Sequence, residues 1–137
     1  MLEVREEQTK RPIKSFTDLI AWQAAYNLSL IVYKSTNTFP ASENIGLTSQ
    51  MRRSSVSVVS NIAEGFGRSG HKDREYFYQM ASGSLYELKS QILIAKGLEY
   101  LSDSNFEELI ELTDRAHKLL HGLLRSHRSN KLLTSNV

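Results

Sequence analysis

Apolar residues recur at three- and four-residue steps in four separate stretches, the spacing of one face of a helix. In residues 47–65, Leu47, Met51, Ser55, Val58 and Ile62 share a face at about 100° per residue, and Val56, Val59 and Ala63 widen it. Arg53, Ser57, Ser60, Asn61 and Glu64 gather opposite as a polar stripe. The apolar and small arc spans roughly 200°, wider than a surface helix needs, which predicts more than one packing neighbour. Serines and β-branched valines make this a poor isolated helix, so packing must hold it. Gly65 is expected to close it in the left-handed conformation, with Gly67 turning the chain again.

The other helices follow by the same spacing. The first is predicted at about 17–37, capped by Ser15 or Thr17 and stopped by Phe39-Pro40. Leu19, Trp22, Tyr26, Leu30 and Tyr33 share one of its faces, and Ile20, Ala24, Leu28, Ile31 and Val32 fill much of the rest. A helix apolar nearly all round needs cover on every side, more than one chain of this size easily supplies, so oligomerisation is expected. The third helix is predicted at about 71–98, with Phe77, Met80, Ala81, Ser84, Leu85, Leu88, Ile92 and Ala95 inward and Gly83 in close contact with the serine-rich second helix. The fourth is predicted at about 105–128, with a capping box at Ser104 and Glu107 and an apolar stripe through Phe106, Leu109, Ile110, Thr113, Ala116, Leu120, Leu123 and Leu124. The fold class is therefore all-α, an antiparallel up-down-up-down four-helix bundle over residues 15–128. Residues 1–14 are expected to be a flexible arm and residues 129–137 a frayed tail.

The ordered set Gln50-Met51-Arg52-Arg53, Ser57, Ser60-Asn61-Ile62-Ala63-Glu64-Gly65 and Gly67-Arg68 resembles the proteins encoded in intervening sequences of bacterial 23S ribosomal RNA genes. Phe16, Leu19, Trp22, Phe39-Pro40, Glu43, Gly46-Leu47 and Ala81-Ser82-Gly83-Ser84-Leu85-Tyr86-Glu87-Leu88 extend the resemblance over about residues 15–125. It implies a four-helix bundle assembling as a homopentamer. It also implies kinship with the accessory variability protein of diversity-generating retroelements, a pentameric bundle that binds nucleic acid and a reverse transcriptase.

Composition narrows the chemistry. The 137 residues include no cysteine, which removes disulfides and thiolate metal sites and suits a reducing cytoplasm. The start of the chain lacks the apolar core of a signal peptide, and no apolar run spans a bilayer. The net charge is only +2, but no acidic residue follows Asp114, whereas Arg115, Lys118, Arg125, Arg128 and Lys131 do. Arg68, Lys72 and Arg74 cluster at the turn between the second and third helices. In an up-down-up-down bundle this turn lies near the end of the fourth helix. Arg68, Lys72, Arg74, Arg115, Lys118, Arg125 and Arg128 are therefore the candidate nucleic-acid-binding residues, repeated around a ring as a collar for phosphates. The alternative is ordinary solvated charge.

The stripe of Arg53, Ser57, Asn61 and Glu64 reads first as a structural network fixing register between helices or subunits, and second as a polar site. Arg53 and Glu64 stand about 16 Å apart along the axis and cannot pair within one helix. His117 and His121 have a spacing that can place two imidazoles on one metal, but no third ligand accompanies them, and no metal or other cofactor is expected. No nucleophile elbow or phosphate-binding glycine loop is present, so no catalytic residues are assigned and no enzyme activity is expected. The expected function is a non-enzymatic homo-oligomer binding RNA or DNA. The alternative is an adaptor that docks a protein partner such as a reverse transcriptase.

Overall fold

The structure, a computed structural model, describes the backbone of residues 12–135 and side chains as far as Asn130. Most of the expected N-terminal arm, residues 1–11, lies outside the described residues. Four helices carry the fold: α1 (Ile20–Thr36), α2 (Leu47–Gly67), α3 (His71–Gly97) and α4 (Asp103–Ser135), with no strand among the described residues. They meet in a closed circuit, α1 on α2, α2 on α3, α3 on α4 and α4 on α1.

Ser15 caps a single 3-10 turn, Phe16–Asp18, accepting from the Thr17 N–H while Asp18 accepts from the Ser15 N–H. The α-helix proper begins only at Ile20. At the far end of α1 the Thr36 hydroxyl donates to Val32 O; the helix ends there, four residues before Pro40, and Phe39 tucks inward against the Tyr100 ring.

The core is a column of fully buried side chains from all four helices: Leu28 and Val32, Met51, Val58 and Ile62, Leu85, Leu88 and Ile92, Leu109 and Leu120. Around it α1 turns only part of its apolar surface inward. Its inward face is the small one, Ala21, Ala25, Leu28, Ser29, Val32 and Thr36. Small residues let α2 approach, and the hydroxyls of Ser29 and Ser55 meet at 3.2 Å inside the bundle. The aromatic face turns outward, leaving Tyr26, Leu30 and Tyr33 at 47%, 51% and 42% exposure, and Trp22 half-buried in a stack with Tyr26.

Two glycines also play other parts than expected. Gly65 does not end α2, which continues through Gly67, and no glycine among the described residues has positive φ. Gly65 is buried where α3 crosses: a Cβ there would stand 2.7 Å from Tyr78 Cε1 and 3.2 Å from the Arg74 carbonyl oxygen. Gly83, expected at that contact, faces open space, and Met80 beside it is exposed rather than inward.

The left-handed position falls instead on Glu99, at φ 63°. It ends α3 in a Schellman motif, with Glu99 N–H bonding Lys96 O and Tyr100 N–H bonding Ala95 O. A side chain there is strained by about 1 kcal/mol. Glu99→Gly is therefore expected to raise stability by about 0.5–1 kcal/mol in urea unfolding, the greater freedom of glycine in the unfolded chain offsetting part of the gain.

Helix α4 is capped by Ser102, whose hydroxyl accepts from the Asn105 N–H, so Ser104 lies inside the first turn and is not the cap. The helix runs to Ser135. Residues 129–135, expected as a frayed tail, continue it.

Candidate nucleic-acid interface

The late part of α4 lies against the start of α3, beside the α2–α3 turn. Arg128 pairs with Glu75 at 2.7 Å, and that guanidinium holds the Glu75 carboxyl below the usual carboxylate range. His71 and His127 stack with ring centres 3.7 Å apart, and His127 Nε2–H donates to His71 O at 2.8 Å. Beside them the Arg74 guanidinium donates to Arg68 O at 2.5 Å and lies over Phe66. Arg68 pairs with Glu64 at 3.0 Å and lies over Phe77. One pole thus gathers Arg68, Lys72, Arg74 and Arg128, with Arg125 one turn below Arg128 on α4.

Within this pole the charges divide. Arg68 and Arg128 are each matched by a carboxylate, whereas Lys72, Arg74 and Arg125 form no ion pair among the described residues. Set against the Asp73 carboxylate in the first turn of α3, the unmatched three leave this end net positive. The other two candidates lie elsewhere. Arg115 and Lys118 precede Arg128 by roughly 20 and 15 Å along α4. Arg115 borders a cleft of about 290 Å³ between α1 and α4, with Gln23, Asn27 and Leu119. The paired imidazoles of His71 and His127 were not singled out in the sequence, because residues 56 positions apart carry no local signal of contact.

The polar stripe of α2 separates into three parts. Ser57 meets Ser84 of α3 at 2.9 Å, and Asn61 Nδ2 donates to Ser57 O and Oγ, so this middle portion joins α2 to α3 as a structural network would. Glu64 turns to Arg68. Arg53 is exposed at the other end, bordering a cleft with Gln50, Ser54 and Glu87.

His117 and His121 lie with ring centres 4.5 Å apart. The Nε2 of His117 is 2.9 Å from the Ser82 hydroxyl and its ring meets Tyr86 edge-on. Burial, with His121 and Lys89 nearby, holds the His117 imidazole below the ordinary histidine range, favouring its neutral form. Among the described residues no group of three His, Cys, Asp or Glu side chains is placed to hold a metal ion.

These features define a class, a four-helix bundle with one basic pole and uncovered apolar faces. The chain belongs to the family described as 23S rRNA-intervening sequence protein, which matches residues 17–122. A crystal structure of a protein of unknown function from the S23 ribosomal protein family of Bacteroides thetaiotaomicron is similar, with a TM-score of 0.71 at 17% identity. The match covers 77% of this chain and 96% of that one, and at this identity it shows the fold. No curated protein matches the chain. No helix among the described residues is long and apolar enough to cross a membrane.

Proposed function

We propose that this chain is an antiparallel bundle assembling into a homo-oligomeric ring, probed below as a pentamer, that binds RNA or DNA through its basic pole without catalysing a reaction. The observation carrying the proposal is the convergence of Lys72, Arg74 and Arg125, which form no ion pair among the described residues, at one end of the bundle. A ring would set copies of this pole side by side and multiply a field that is modest in one copy. Two separate apolar faces support assembly. One is the aromatic face of α1. The other, on α3, exposes Tyr76, Met80, Ile94 and Leu98. Two different faces on one chain suit head-to-tail contacts, which close into rings. The five-fold count and the tie to retroelement accessory proteins rest on resemblance alone, and a cytoplasmic setting on the absence of cysteine.

Fluorescence anisotropy with a single-stranded RNA tests the binding. Affinity should fall steeply between 50 and 200 mM salt, by roughly tenfold or more for a few phosphate contacts. Lys72→Gln with Arg125→Gln should weaken binding and flatten that slope. Absent or salt-independent binding would contradict the reading. The same apolar faces favour a second reading, in which the ring docks a nucleic-acid-processing protein and makes no nucleic-acid contact itself. A partner retained after nuclease treatment, without intrinsic RNA affinity, would select that alternative.

A further inference from the structure

From the basic pole the seam between α3 and α4 runs back along both helices, and it carries a cluster of side-chain rings that the core does not use. His117 is anchored, its Nε2 2.9 Å from the Ser82 hydroxyl. Its ring meets Tyr86 of α3 with centres 4.3 Å apart and planes at 68°, and meets His121, one turn on along α4, with centres 4.5 Å apart. Tyr86 is 61% exposed, and His121 is exposed as well. Tyr86 leans toward α4, off the stripe of Tyr76, Met80, Ile94 and Leu98 assigned to assembly.

Cations flank these rings. Lys118 lies one turn before His121 and Arg125 one turn after it, both exposed and neither in an ion pair among the described residues. The carboxylates of the seam are already engaged: Asp114 pairs with Lys89 at 2.7 Å, and Glu75 with Arg128 at 2.7 Å. Glu87, next to Tyr86 in sequence, accepts from Gln91. Glu111 stands about 10 Å before Lys118 along the axis of α4. The seam therefore keeps an excess of positive charge on either side of its rings.

Cations alone attract any phosphate backbone, single or double. Open aromatic faces add a preference, because every base of a single strand has a π-face to lay on them, whereas a duplex keeps those faces inside its own stack. Rings already held in place by one another lose little freedom on binding. Given a nucleic-acid-binding pole, on which this reading rests, we propose that the α3–α4 seam takes unpaired bases: a base of a single strand stacks on Tyr86 and His121 while its flanking phosphates meet Lys118 and Arg125. Arg125 belongs to the pole as well, so the seam continues the pole along α4.

Fluorescence anisotropy on the full chain compares three probes of equal length: a thymidine DNA strand, the same strand with abasic sites in place of its bases, and a DNA duplex. Wild type should bind the abasic strand about tenfold more weakly than the intact one, the scale of one stacked base. Tyr86→Ala should lose about tenfold for the intact strand and leave the abasic strand and the duplex unchanged. Tyr86→Trp should keep the affinity, and its added emission should be quenched by the intact strand and not by the abasic one. Lys118→Gln should weaken all three probes alike and reduce their salt dependence. Tyr86 and Lys118 are exposed, so these variants should melt and sediment as wild type does. Equal affinity of wild type for intact and abasic strands, or a Tyr86→Ala loss shared by the abasic strand, would overturn the stacking site while leaving phosphate binding at the pole. A Tyr86→Ala chain that drops out of the assembly would overturn it too, by making Tyr86 a subunit contact. Binding of none of the three probes would remove the proposed function itself, and the stacking site with it.

Discussion

Gly65→Ala is expected to destabilise the chain by about 1–2 kcal/mol, although alanine is the better helix former by about 1 kcal/mol. The added methyl would stand 2.7 Å from the Tyr78 ring and 3.2 Å from a backbone carbonyl oxygen of α3. Tyr78 is 2% exposed and has no room to swing aside. Overpacking of this kind costs about 1–3 kcal/mol and here outweighs the propensity gain. A larger side chain should be worse, with Gly65→Leu losing about 4 kcal/mol. The clash involves ring carbons, so Tyr78→Phe should not relieve it, whereas Tyr78→Leu should recover part of the loss in a double-mutant cycle. Urea unfolding reads each value. A Gly65→Ala variant more stable than wild type would mean that the glycine has no packing role.

The second large effect concerns assembly. In an isolated chain, Leu30→Asp on the open face of α1 should change stability by no more than about 0.5 kcal/mol. In the proposed ring, that face is covered, and an unpaired carboxylate there would weaken the contact by about 3 kcal/mol or more, over a hundredfold in dissociation constant. Met80→Asp on α3 should act in the same direction, because in the proposed ring the two faces are the two halves of one head-to-tail contact. Sedimentation velocity should show wild type as one large species and each variant as a folded single chain. Were both variants to sediment like wild type, these faces would not be the contact.

Helix number and approximate limits were legible because the apolar spacing persists over many turns in each segment. The orientation of α1 was not. Hydrophobicity ranks Leu30 and Tyr33 above Ala25 and Ser29, yet the chain buries the smaller pair, because close approach to Ser55 on α2 needs small residues. Gly65 misled for a related reason. A glycine near the end of an apolar run serves equally as a cap and as a site of close approach, and only the position of Tyr78 decides between them. The basic pole was partly legible, since short connections dictate which helix ends meet. Arg115 and Lys118 share the charge asymmetry of the chain but lie several turns from that pole.

The ring is tested most directly by multi-angle light scattering on the full chain at micromolar concentration. The account predicts a single species of about five times the 15.6 kDa chain mass. A stable species at 15.6 kDa, with the aromatic face of α1 open to solvent, would contradict it.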